Sequence, residues 1–233
     1  MKPLQKPVIT SMDEILDLIS HFEPGAITLV ENSSSFGGEL VISTLVEYSK
    51  KKAVPLVVED IFDTLPLFLT HLKLLGTQID ESQLKVIKVG GTQEVGNILG
   101  RISFERDSYV YKSKLEEELK KIRGKGPYIH LVVGLERFLA FQRDLHGTYS
   151  FLSTIKEKLG DDEGINIHLV ETSVLGNLEF NPLPILEDIA TSVVELEDNG
   201  DLMKVILKKS VLTLLMNKGV ILISPKEVLR WWV

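Results

Sequence analysis

The sequence predicts an α/β fold in which a mainly parallel central sheet is flanked by helices and extended at one edge by an antiparallel hairpin. Three observations predict it. Apolar runs alternate with amphipathic stretches through most of the chain, the pattern of βα units. Ile129 to Val133 is nearly continuous in apolar residues, as in a strand buried on both faces. After Pro184 two extended runs flank Asp198-Asn199-Gly200-Asp201, and Asn-Gly is the strongest short hairpin signal.

The elements follow in order. Ile27 to Val30 reads as a strand, and Leu40 to Ser49 as a helix with Val41, Leu45 and Tyr48 on one face. Leu56 to Val58 is a second strand. Phe62, Leu65, Leu69 and Leu72 mark a helix ending near Gly76, with Asp63 or Thr64 as its cap and Pro66 in its first turn. Lys85 to Val89 is a third strand. Val95 to Leu99 has a helical pattern, whereas Tyr109-Val110-Tyr111 looks extended. Ser113 and Glu116 form a capping box and predict a helix from Lys114 to Ile122. Further expected elements are a helix from about Tyr149 to Leu159, a strand from Ile165 to Val170, and strands at Thr191–Leu196, Leu202–Leu207 and Val220–Ile223. We expect a single domain over residues 1–233, with residues 1–11 as an extended arm and 191–223 as a β-rich extension.

Composition narrows the function classes. The chain has 233 residues, no Cys and a net charge of -7. Disulfide scaffolds, Cys-ligated metal and thiol catalysis are excluded. The acidity disfavours nucleic acid as a partner. No apolar run approaches a membrane span and no signal peptide is visible, so a cytoplasmic location is expected. Lys greatly outnumbers Arg, and Asn, Gln and Met are few, a bias of heat-adapted proteins.

The first strand feeds Asn32-Ser33-Ser34-Ser35-Phe36-Gly37-Gly38-Glu39-Leu40 and then a helix. Position and shape are those of a phosphate-binding loop, which aims backbone N–H groups and a helix N-terminus at the anion. Such a loop also needs a Lys for the outer phosphates and a Ser or Thr hydroxyl for magnesium. Ending the loop at Gly37 puts Gly38 and Glu39 in those two places; ending it at Gly38 puts Glu39 and Leu40 there. A carboxylate about 4 Å from a phosphate charge costs roughly 1 kcal/mol in water and several times more at a partly dry site. Without phosphate, Glu39 suits a helix N-terminus. Three readings of Ser33, Ser34, Ser35, Gly37, Gly38 and Glu39 stay open: a helix-capping turn, a surviving nucleotide site, and a site for another small anion.

Met12 to Leu16, Pro24 to Val30 and the loop together resemble the start of a RecA/KaiC-type ATPase domain, the RecA-like P-loop NTPase fold. Val57-Val58-Glu59-Asp60 resembles that family's second strand, whose paired acids activate the attacking water, and Ile129 to Val133 stands where it carries the Walker B strand. The late hairpin fits too. The resemblance spans residues 12 to 223, and the chain is similar to a family of hyperthermophilic archaea of unknown activity. It implies ATP and magnesium as cofactors, but Gly134 stands where the metal-binding Asp belongs, and Glu136 follows two residues later. The expected function is therefore a module that has lost ATP hydrolysis, holds no metal and binds a protein or peptide or itself. The alternative is an ATPase with an atypical loop that uses Glu59 and Asp60.

Five histidines show no metal-ligand spacing; His130 and His168 sit inside apolar strands and read as hydrogen-bonded core residues. The basic residues from Lys112 to Lys125 read as a solvated helix face. Trp231-Trp232-Val233 ends the chain. Two tryptophans there either pack on the body or meet a partner, and a homo-oligomer, most simply a dimer, is expected.

Overall fold

The computed structural model describes residues 8–9, 11–104, 107–142, 144–211 and 220–230. Ten strands form one sheet: β1 (Val8–Ile9), β2 (Ile27–Asn32), β3 (Leu56–Ile61), β4 (Leu84–Val89), β5 (Asn97–Ile102), β6 (Tyr128–Val133), β7 (Gly164–Glu171), β8 (Ser192–Asn199), β9 (Leu202–Ser210) and β10 (Val220–Ile223). Their spatial order is β1-β10-β9-β8-β2-β7-β6-β3-β4-β5. From β8 through β2 to β5 every pairing is parallel, because a crossover joins successive strands. β8, β9 and β10 pair antiparallel, as the hairpin signal predicts. Gly200 makes the turn with φ of 65°.

Helices cover both faces. On one lie α1 (Met12–Ile19), α2 (Gly37–Lys52), α3 (Thr64–Leu74) and the short α9 (Pro225–Arg230). On the other lie α4 (Ser108–Leu119), α5 (Leu135–Ala140), α6 (Leu145–Lys156), α7 (Thr172–Gly176) and α8 (Leu183–Ile189). Every residue of β2, β3 and β6 is buried, which accounts for their mainly apolar runs, and the polar residues they carry, among them Glu59, Asp60 and His130, are buried too. Part of the expected N-terminal arm is an edge strand of the chain's own sheet: Val8 and Ile9 pair with Leu222 and Ile223.

Four expectations fail locally. Residues 97–102, partly inside the expected helical stretch, form strand β5, whose half-buried edge position blurs the alternation. Tyr109 to Tyr111 are helical, because Asp107 accepts hydrogen bonds from the Tyr109 and Val110 N–H groups and starts α4 there. The Ser113–Glu116 pair is therefore no cap, and Glu116 instead pairs with Lys158 and Arg123. The α3 cap also differs: Asp60 Oδ1, 2.8 Å from the Leu65 nitrogen, accepts its N–H, while Asp63 makes no capping bond.

Candidate functional site

At the C-terminal end of β2 the chain turns through Ser33 to Phe36 into α2, with the geometry the sequence predicts. The loop's polar groups are answered from within the chain. Asn32 Oδ1 accepts the Ser34 N–H at 3.1 Å. The Ser33 hydroxyl donates to the Leu196 carbonyl at 2.9 Å. Asp198, at the hairpin end of β8, reaches across: its carboxylate accepts from the Ser34 hydroxyl at 2.5 Å, the Ser35 hydroxyl at 2.5 Å and the Ser35 N–H at 3.1 Å. These donors hold the Asp198 carboxyl below the usual carboxylate range. An internal anion thus stands on the donors that a loop of this kind would offer to phosphate.

Gly37 and Gly38 are fixed by packing. A Cβ at Gly37 would collide with the Asn32 side chain, and one at Gly38 with the Phe68 ring of α3. Glu39 is buried, and its Oε1 lies 2.6 Å from His71 Nδ1 on α3. A carboxylate–imidazole pair therefore fills the first turn of α2.

Beyond the loop lie two more carboxyls. Glu171, at the end of β7, takes the Asn32 amide N–H on both oxygens, at 2.9 and 3.0 Å. Its pKa is raised by burial, with the Glu39 charge adding to the shift. Glu136, in the first turn of α5, has a side chain only 1% exposed, and burial lifts its pKa to about 7. Among the described residues its Oε2 has no hydrogen-bond partner. Gly134 has φ of 84°, and a Cβ there would meet Thr64 Oγ1 and the Ile61 carbonyl. An Asp at that place would not fit without moving β3.

The paired acids of β3 part company. Consecutive strand residues face opposite sides of a sheet. Glu59 points beneath α4, where the Tyr111 hydroxyl donates to its Oε1 and His130 Nε2 stands 3.2 Å from its Oε2. Asp60 points beneath α3, where Oδ1 caps Leu65 and Oδ2 pairs with buried Lys88 at 2.6 Å. Lys88 also pairs with Asp63, whose carboxylate accepts the Thr92 and Gln93 N–H groups. All four oxygens of Glu59 and Asp60 have neighbours within the fold.

His130 Nδ1 lies 3.4 Å from Asn166 Oδ1, as a core histidine would. His168 departs from that expectation: it is buried, neither ring nitrogen has a partner among the described residues, and burial lowers its pKa to about 3. The basic residues near α4 pair with acids, Lys112 with Glu157 and Arg123 with Glu116 and Asp161. Among the described residues no group of three or more His, Asp or Glu is placed to hold a metal ion. No helix among them is long and apolar enough to cross a membrane. Trp231 and Trp232 lie outside the described residues.

Sequence reasoning missed Asp198, His71, Lys88 and Glu171. Asp198 was legible only as a turn residue, since its loop partners stand more than 160 positions earlier in the chain. Lys88 carried a signal: a Lys flanked by Ile87 and Val89 inside a strand needs a buried acid.

Comparison with solved structures places the fold. A Pyrococcus horikoshii protein known from a structural study is 28% identical, with a TM-score of 0.72, covering 86% of this chain and 93% of that one. A KaiC-like protein of the same organism is 13% identical, with a TM-score of 0.59 and coverage of 89% and 88%. An uncharacterized P. horikoshii protein, solved in complex with an unknown peptide, is 15% identical, with a TM-score of 0.58 and coverage of 87% and 92%. The fold is thus KaiC/RecA-like. The chain matches no curated protein. A family model, DUF257, described as a Pyrococcus protein of unknown function, matches residues 17–221, and the chain belongs to that family.

Proposed function

We propose that this KaiC/RecA-like domain does not hydrolyse ATP and serves as a protein- or peptide-binding, self-associating module. The observation that carries the reading is the Asp198 carboxylate on the hydroxyl and N–H donors of the loop. A phosphate entering there meets Asp198 and Glu39 and finds no lysine in the loop. Each like-charge pair at about 4 Å costs roughly 1 kcal/mol in water and about 4 kcal/mol at the effective dielectric of a protein surface. Glu59 and Asp60, the acids an ATPase would use, are held beneath helices on opposite faces. The binding half rests on the surfaces that remain. β5 is an end strand of the sheet, the position at which an added strand would pair, and Lys121 donates there to the Leu99 carbonyl. An apolar cavity lies beneath α1 and α2. A protein of the same fold has been solved with a peptide.

A melting-temperature titration with ATP and ADP, with and without magnesium, tests the reading. Ligand at 100 times its Kd stabilises by about 2.7 kcal/mol. No rise is expected at millimolar Mg-ATP; a saturable rise at micromolar ATP contradicts it. Light scattering is expected to give a mass above the 26.1 kDa of one chain.

A further inference from the structure

A second cavity lies on the opposite face of the sheet, between β3, β6 and β7 and the helices α4 and α6. Paired residues of neighbouring strands share a face, so Glu59, Val132 and His168 stand in one row across the three strands. His130 lies two positions before Val132 and faces the same way. These four form the floor of the cavity, and apolar side chains such as Leu115 of α4 and Phe151 of α6 close over them. Its volume is about 20 Å³. One water molecule needs roughly 10–15 Å³, whereas a benzene ring needs about 150 Å³.

The polar groups of the lining narrow the occupant further. His168 is 5% exposed, and neither of its ring nitrogens has a hydrogen-bond partner among the described residues. Burial keeps this imidazole neutral at neutral pH, and a neutral imidazole carries one donor and one acceptor. His130 Nε2 stands 3.2 Å from Glu59 Oε2 but is not aligned to hydrogen-bond with it. Lys112 and Lys158 in the wall oppose a cation, and the Glu59 carboxylate opposes an anion. A neutral molecule that both donates and accepts meets every one of these conditions.

We infer that this cavity is a binding site for one water molecule, which bridges His168 to His130 Nε2 and the Glu59 carboxylate. The Tyr111 hydroxyl already donates to Glu59, and His130 Nδ1 lies 3.4 Å from Asn166 Oδ1. The water therefore joins α4, β3, β6 and β7 in one buried hydrogen-bonded network. A buried water with about three such bonds is a fixed part of a fold. The site uses neither the loop after β2 nor the apolar cavity beneath α1, so the inference stands or falls apart from the binding reading.

Nuclear magnetic resonance of the full chain tests it. Water magnetisation is expected to reach the carbon-bound ring protons of His168 and His130 by cross-relaxation, with the sign of a molecule that tumbles with the protein. A high-resolution crystal structure is expected to show one ordered oxygen within about 2.7–3.2 Å of a His168 ring nitrogen and of His130 Nε2. His168→Leu replaces the unpartnered ring by an apolar group and should abolish the transfer to His130. The two measurements on the parent chain decide the matter whatever the stability of that variant. Absence of transfer to both rings in the parent overturns the inference, and so does a crystal structure in which the His168 nitrogens bond to protein groups around a dry cavity. Transfer to His130 that persists in His168→Leu overturns it as well, because the water would then be held without His168.

Discussion

The loop after β2 and the cavity beneath α2 share a strand and a helix, yet they handle polar groups in opposite ways. At the loop, donors and carboxylates are matched inside the chain: Asp198 with Ser34 and Ser35, Glu39 with His71, Glu171 with Asn32. In the cavity, one buried hydroxyl in an apolar wall has no described partner. Buried polar groups are normally satisfied. The loop is thus the finished region, although its position advertises a ligand, and the cavity beneath α1 is where a partner group is still called for. A loop placed like a ligand site can thus be satisfied by the chain's own side chains while a hydroxyl a few residues along the same helix has no described partner.

The contrast can be broken most severely at β3. Lys88→Met leaves Asp60 and Asp63 buried or half-buried without their cation and is expected to cost about 3–5 kcal/mol in chemical denaturation. Adding Asp60→Asn should recover part of that loss. A cost under about 1 kcal/mol would mean that the ion pairs do not hold the end of β3, leaving Asp60 free for chemistry.

Glu136 gives the next largest effect. Its pKa is 4.5 unperturbed and about 7 in the fold, so the folded state holds the extra proton between those values. Its contribution to stability is complete below pH 4.5 and is lost as pH rises through 7. Glu136→Gln should remove that loss, worth up to roughly 3 kcal/mol, and flatten stability against pH over this window. His168 acts in the opposite sense: lowered from 6.5 to about 3, it costs stability as pH falls below 6.5, and His168→Leu should relieve that cost. Parallel pH profiles for parent and variants would contradict the buried placements.

These groups show how far the sequence could be read. The order of strands, the late hairpin and the loop's place all follow from periodicity and turn residues, which are local. β5 was misread because an edge strand with Gly100 and half-buried neighbours lacks a clean alternation. Residues 109–111 look extended by aromatic β-propensity, but the Asp107 cap, a signal present in the sequence, makes them helical. The missing loop lysine was legible, but the carboxylates that bond to the loop and to Asn32 were not. Asp198 and Glu171 come from strands that only the sheet order brings beside β2. Nothing local predicted the partners of Glu59 and Asp60; the resemblance gives them as paired acids, whereas adjacent strand positions face opposite sides of the sheet.

A smaller effect sharpens the loop side. Asp198→Ala removes three hydrogen bonds at an exposed hairpin end and should cost about 1 kcal/mol or less after solvent screening. The Asp198 carboxyl is held below its ordinary value, so its contribution is present at neutral pH and disappears as pH falls through the folded value. The variant should therefore match the parent in strong acid and differ from it above about pH 4. A uniform difference at all pH values would mean that Asp198 acts through packing instead of charge.

The most direct measurement is a calorimetric titration of Mg-ATP into the parent chain and into the Asp198→Ala/Glu39→Lys double variant. The account predicts no saturable heat for the parent up to millimolar ATP. It predicts weak anion binding in the double variant, because the loop backbone is already in place and only its internal charges stand against phosphate. Saturable, magnesium-dependent binding to the parent at micromolar ATP, unchanged or weakened in the double variant, would contradict the claim that the chain's own carboxylates have closed this site.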